Sequence, residues 1–77
     1  MSKISYTIIV EKGKNSYGAY APDLPGCVAV GGSVEEALKE MADAVEFHLE
    51  GLRAEGLEIP KPSIIAHQDI TVELPAA

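Results

Sequence analysis

Apolar and polar residues alternate near the start of the chain. In the stretch ISYTIIVEK, which begins at Ile4, every second side chain is apolar and most of the others are polar. Because successive side chains of a β-strand point to opposite faces of its sheet, this period of two predicts a first strand with one buried face. The predicted buried face carries Ile4, Tyr6, Ile8 and Val10.

Two further short strands are predicted, each bounded by turn-forming residues. The connector KGKNS, residues 12–16, precedes the strand-like stretch YGAYA, and the β-branched run CVAV begins at Cys27. Between these runs, Pro22 and Pro25 lack a backbone N–H and Gly26 tolerates unusual backbone angles, so the three residues favour a tight irregular turn. Three strands that follow one another through turns predict an antiparallel meander.

A helix is predicted after Gly31 and Gly32. Ser33 and Glu36 have the spacing of a capping box, in which the serine hydroxyl accepts the N–H of Glu36 and the glutamate bonds the N–H of Ser33. Gly56 suits the position just after a helix, which makes the predicted helix about 22 residues long. Apolar residues recur at helical spacing and form a stripe that must lie on the sheet. The stripe consists of Leu38, Met41, Val45, Leu49 and Leu52.

The stretch DITVEL, residues 69–74, again alternates apolar and polar residues. The alternation predicts a fourth strand. The element order is then β-β-β-α-β, an α+β fold with a small, mainly antiparallel sheet and one long helix on one face. The opposite face of the predicted sheet, which includes Ile9 and Tyr20, has no covering element, and this favours a homo-oligomer, a dimer or higher.

Length, charge and cysteine content narrow the functional classes. The 77 residues, 47% of them apolar, predict one domain spanning residues 1–77. Twelve acidic and six basic residues give a net charge of −6, which disfavours direct nucleic-acid binding and favours a basic protein partner. No apolar run reaches the roughly 18 residues of a membrane span. The lone Cys27 cannot form an internal disulfide, so the expected location is the reducing cytoplasm.

Cysteine and histidine can act as nucleophiles or metal ligands, but here neither has a suitable partner residue nearby in the sequence. Cys27 lies in an apolar run with no nearby histidine, so a small buried hydrophobic role is expected rather than a nucleophilic one. His48 has no second metal ligand one helical turn away on its face. The sequence therefore predicts no catalytic residue, no metal site and no cofactor, and a protein that is not an enzyme.

The order of these motifs resembles the HicB-like antitoxin family over nearly the whole chain. The resemblance rests on the stretch YAPDLPGCVAVGGSVEEAL, the amphipathic helix and the exit IPKPS. It implies a partial ribonuclease-H-like β-β-β-α-β domain and an antitoxin that neutralises a small basic mRNA-cleaving toxin of the HicA type. Many members carry a further C-terminal DNA-binding domain, which these 77 residues lack, so direct operator binding by this chain is not expected. Seven residues of this pattern are expected to have a structural role rather than a binding role, namely Pro22, Pro25, Gly26, Cys27, Gly31, Ser33 and Glu36.

Three acidic residues are candidate contacts for such a toxin, namely Glu11, Asp23 and Glu35. Two alternatives stay open at this point. One is an orphan oligomeric scaffold or regulatory module without a toxin partner, which gene neighbourhood would distinguish from an antitoxin. The other is an enzyme, for which the required metal-ligand and nucleophile constellations are missing from the sequence.

Overall fold

Three strands come first along the chain and one helix follows. The computed structural model describes residues 3–76, so the predicted domain limits at residues 1 and 77 lie outside the described part. The strands are β1 Ile9–Lys12, β2 Tyr17–Tyr20 and β3 Val28–Gly31, and the helix is α1 Val34–Ala54. The sheet is antiparallel in the order β1-β2-β3. The predicted α+β class, with a meander followed by one long helix, is confirmed.

The pairing register decides which side chains meet the helix. Val10, Ala19 and Ala29 lie side by side across the three strands. Ala19 is buried, and Val10 and Ala29 pack against the same core cluster. Helix α1 packs on this row. The row and the fully buried Leu24 and Met41 belong to the same hydrophobic core.

The face of the sheet opposite α1 has its own apolar row. Ile9, Tyr20 and Val28 pair across the strands one position along from the core row, and alternation turns their side chains to the other face. Val28 is 63% exposed. The uncovered face predicted from Ile9 and Tyr20 is therefore present in the described part of the chain.

Strand β1 begins later than the alternation predicts. Its first paired residue is Ile9, which lies opposite Tyr20, the last residue of β2. Beyond Tyr20 the chain enters a turn, so the residues before Ile9 have no strand opposite them. The predicted buried face holds for Tyr6 and Ile8, which still pack against the core, and fails for Ile4, which is exposed.

The start of α1 is fixed by side-chain capping and by close packing. The Ser33 hydroxyl accepts the backbone N–H of Glu36 at 3.1 Å. The Glu36 carboxylate accepts the N–H of Gly32 at 2.8 Å, one residue before the predicted donor. A Cβ atom at Gly31 would lie 2.5 Å from the backbone nitrogen of Ala37. The first turn of α1 therefore rests directly on the end of β3.

The end of α1 follows the predicted glycine stop. The helix has 21 residues, and Gly56 adopts a left-handed φ of 71°. The N–H of Gly56 donates to the carbonyl of Arg53, and that of Leu57 donates to the carbonyl of Leu52. This pair of bonds is the Schellman arrangement, which satisfies carbonyls that the helix leaves free. Along residues 3–76, no helix is both long and apolar enough to cross a membrane.

The predicted fourth strand is not formed within the described residues. After Gly56 the chain has no regular secondary structure through residue 76. The alternating side chains of the predicted strand face solvent, with Ile70 77% and Leu74 89% exposed. Alternation alone does not make a strand, because a strand also needs a neighbouring edge that satisfies its backbone hydrogen bonds.

Candidate partner-binding surface

The turn between β2 and β3 is part of the core. The N–H of Leu24 donates to the carbonyl of Ala21, and the N–H of Cys27 donates to the carbonyl of Leu24, both at 3.0 Å. These bonds fold the chain so that all three of those side chains are buried. Gly26 has a φ of +83°, in the left-handed region where a glycine avoids the strain of a Cβ atom.

Cys27 and His48 line one groove, although they are distant in sequence. The groove, about 370 Å³ in volume, runs between the start of β3 and the side of α1 that carries Phe47. Burial raises the pKa of the Cys27 thiol, whereas reactive cysteines have a lowered pKa in an electropositive setting. The groove therefore does not present an activated thiol. Among residues 3–76, no three His, Cys, Asp or Glu side chains converge as a metal-binding group.

Asp23 holds the chain that follows the helix. Its carboxylate accepts the backbone N–H of Ser63 at 2.9 Å and also accepts the Ser63 hydroxyl. Hydrogen bonds from Ser63 hold the pKa of the Asp23 carboxyl below its ordinary value. Close by, the Tyr6 hydroxyl donates to the carbonyl of Pro60. We call residues 60–63 the tail base and residues 64–76 the tail.

The outward side of α1 is strongly acidic. The helix carries six acidic and two basic side chains, and all eight are exposed. Such a concentration of one charge creates a field that attracts and orients a basic partner. We refer to this surface as the acidic helix face, formed by Glu35, Glu36, Glu40, Asp43, Glu46 and Glu50.

The three predicted partner contacts do not form one cluster. Glu35 lies in the first turn of α1, near the end of the sheet where β3 finishes. Asp23 lies in the turn at the other end of the sheet. Glu11 is exposed on β1, and the register with Gly18 places it on the face opposite α1. Only Glu35 belongs to the acidic helix face.

Sequence reasoning missed the role of Asp23 at the tail base. The bonds between Asp23 and Ser63 join residues 40 positions apart, and the contact between Tyr6 and Pro60 joins residues 54 positions apart. No local pattern predicts such pairs. The nearest available signal was that a polar Asp23 interrupts an otherwise apolar turn.

The same architecture and motif order occur in known proteins. Residues 6–74 match the family described as HicB-like antitoxin of bacterial toxin–antitoxin systems. The chain belongs to this family. The residues that match the HicB-like family include the meander, the turn between β2 and β3, the capped helix and most of the segment that follows it.

Curated relatives of this HicB-like chain come from a phage, bacteria and an archaeon. An uncharacterised 14.9 kDa protein from the rep–hol intergenic region of Haemophilus phage HP1 is 37% identical over 60 residues, which are 78% of this chain and 45% of that protein. A UPF0150 protein of Helicobacter pylori is 42% identical over 64 residues, 80% of this chain and 89% of that protein. A UPF0150 protein of Thermoplasma acidophilum is 31% identical over 70 residues, 90% of this chain and 97% of that protein.

A solved structure shows the same fold in a complex. A chain of the HicA3 and HicB3 toxin–antitoxin complex superposes with a TM-score of 0.65 and 32% sequence identity. The match covers 74% of this chain and 66% of that chain. The HicB-like chain thus spans less than half of the phage relative and about two thirds of the chain in the complex.

Proposed function

We propose that this HicB-like chain binds and neutralises a small basic toxin of the HicA type that cleaves mRNA. The observation that carries the proposal is the match, at 32% identity and a TM-score of 0.65, to a chain from a HicA3–HicB3 complex. The family of the chain is that of the antitoxins of such pairs. The free thiol of Cys27 suits a reducing compartment, so we place the pair in the cytoplasm.

The charge of the chain supports a basic partner. A protein that cleaves RNA needs cationic side chains to hold phosphates. The acidic helix face offers carboxylates to the same cations, and charge-assisted hydrogen bonds between the two would occupy the surface that RNA needs. In this mechanism the chain acts by covering the toxin, and it supplies no catalytic group of its own.

Within this proposal, Glu35 contacts the toxin as part of the acidic helix face. Glu11 and Asp23 lie elsewhere on the molecule, so in this proposal they contact the toxin at separate positions. Since both carboxylate oxygens of Asp23 already accept a hydrogen bond from Ser63, the proposal assigns Asp23 first to the tail base.

Co-expression with the reading frame that neighbours this gene tests the proposal, which predicts that this neighbour encodes a small basic protein. We expect the neighbour to stop growth when expressed alone, and this chain to restore growth and to co-purify with it. A double variant of the acidic helix face, Asp43→Lys with Glu46→Lys, should lose the rescue. The matched control reverses two acidic residues of the tail, Asp69→Lys with Glu73→Lys. A harmless neighbour that does not bind this chain would contradict the proposal.

One observation favours a second function, that of an oligomeric scaffold or regulatory module without a toxin. The sheet face opposite α1 exposes Val28 and Val30, and exposed apolar surface of this kind favours self-association. Gene neighbourhood distinguishes the two functions, because a scaffold needs no small basic reading frame beside it. A chain that oligomerises and has no such neighbour would favour the scaffold.

A further inference from the structure

The tail carries apolar side chains that its own chain does not cover. Ile65 is 97% exposed, and Ile70, Val72 and Leu74 alternate with polar residues and are also exposed. Spaced two residues apart, these last three would lie on one face of a strand. The tail thus has the pattern of a half-buried strand, and residues 3–76 offer no surface that buries it.

The radius of gyration and the accessible surface of the chain support a surface that another molecule covers. Its radius of gyration is 15.3 Å, whereas a compact domain of this length has about 11.5 Å. Its accessible surface is 6561 Å², against about 4,500 Å² for a compact monomer of this mass. The excess is about 2,000 Å² per chain, or about 4,000 Å² for two chains, which is within the total surface that obligate dimers bury.

The edge of the sheet at β1 offers a place for a strand. In the described residues the sheet ends at β1 on one side. On the helix side of this edge, Tyr6, Ile8 and Val10 are only partly buried, as are Val45 and Leu49 of α1. These five side chains form a layer that an added strand would complete.

A groove continues this layer beyond the start of β1. It has a volume of about 240 Å³ and lies between Ile4, Leu49 and Ile59. The other edge of the sheet is less suited to a six-residue strand, because β3 lies directly between the turn at Gly26 and the start of α1, whereas residues 3–8 precede β1 without a turn or a helix.

We propose that residues 69–74 form a strand on the β1 edge of a second copy of this chain, and that the second copy returns its own tail in the same way. Ile70, Val72 and Leu74 then face the partly buried layer, and Thr71 and Glu73 face solvent. The exchange is symmetric, as closed dimers require. The proposal is independent of toxin binding.

The tail base directs the tail toward a second copy. Tyr6 holds Pro60 and Asp23 holds Ser63, which fixes where the tail leaves the body of the domain. The described chain is 54 Å in its longest dimension, whereas a helix of 21 residues is about 31 Å long. The chain is therefore much longer than its helix, and within residues 3–76 the tail pairs with no strand of its own sheet.

Light scattering on the full chain at micromolar concentration tests the exchange, with substitutions that distinguish the two faces of the tail. We expect a dimer for the natural chain. Val72→Asp should raise the dimer dissociation constant by about 100-fold or more, because each dimer loses two buried valines. The matched control Thr71→Asp, on the solvent face of the same strand, should remain a dimer. Circular dichroism checks that every variant keeps its helix.

Hydrogen exchange on the dimer shows which edge of the sheet pairs with the tail. We expect slow exchange in residues 69–74 and at the outer edge of β1, with both becoming fast as dilution dissociates the dimer. A monomeric natural chain would overturn the proposal. A dimer that survives Val72→Asp but is lost on Val30→Glu would also overturn it, since the sheet face would then be the interface. Protection along β3 instead of β1 would overturn the proposed edge.

Discussion

The turn at residues 21–27 and the tail at residues 64–76 both lack helix and strand, yet their environments are opposite. The turn buries Leu24 completely and places its backbone bonds within the fold. The tail is also rich in apolar residues, yet Leu74 is 89% exposed. Irregular backbone is therefore not a sign of a loose segment. What separates the two segments is whether this chain supplies a surface for their apolar side chains.

The largest expected effect compares one substitution in both regions. Leu24→Ala should lower the free energy of unfolding by about 2–5 kcal/mol, because it leaves a cavity in the core. Leu74→Ala should change it by less than about 0.5 kcal/mol in the monomer, since its side chain already faces solvent. Urea denaturation at low protein concentration measures both values. Equal losses for the two variants would show that the comparison between turn and tail is wrong.

A smaller effect is expected from the backbone of the turn. Gly26→Val should cost about 1–3 kcal/mol, because a β-branched residue is strained at positive φ. No atom lies within 4 Å of the added Cβ position, so the cost comes from the backbone alone. Gly18→Val in β2 is the matched control, as Gly18 is equally open and lies in a strand, where valine is favoured. A thermal melt that is unchanged by Gly26→Val would contradict the assigned role.

The smallest effect concerns the bonds that hold the tail base. The pKa of Asp23 is lowered by hydrogen bonds from Ser63. With a lowered folded-state pKa, the contact is fully present above the ordinary aspartate pKa and is lost as the pH falls through the lowered value. We expect the NMR titration of the Asp23 carboxyl to move toward the ordinary value in Ser63→Ala. An unchanged titration would mean that Ser63 does not set the pKa.

Local signals in the sequence predicted much of the fold. The spacing of Ser33 and Glu36 marked the start of α1, Gly56 marked its end, and short apolar runs marked β2 and β3. These elements depend on neighbouring residues, so their patterns are complete within a few positions. Even there, the partner of Glu36 proved to be Gly32 rather than Ser33.

Long-range features were not predictable in the same way. The alternation around Val72 matched that of a strand, but strand formation depends on an edge elsewhere. The bonds from Asp23 to Ser63 and from Tyr6 to Pro60 depend on the path of the chain after α1. The candidate contacts Glu11, Asp23 and Glu35 were chosen by charge, and their separation emerged only from the arrangement of the strands and the helix.

In the function proposed above, we claim that this HicB-like chain neutralises an RNA-cleaving toxin by binding it. A test with purified proteins adds this chain to the product of the neighbouring reading frame and follows cleavage of an mRNA. We predict that cleavage stops at a fixed stoichiometry, and that Asp43→Lys with Glu46→Lys weakens inhibition more at low salt than at high salt. Cleavage that continues at a large excess of the natural chain, with no complex detected, would contradict the claim.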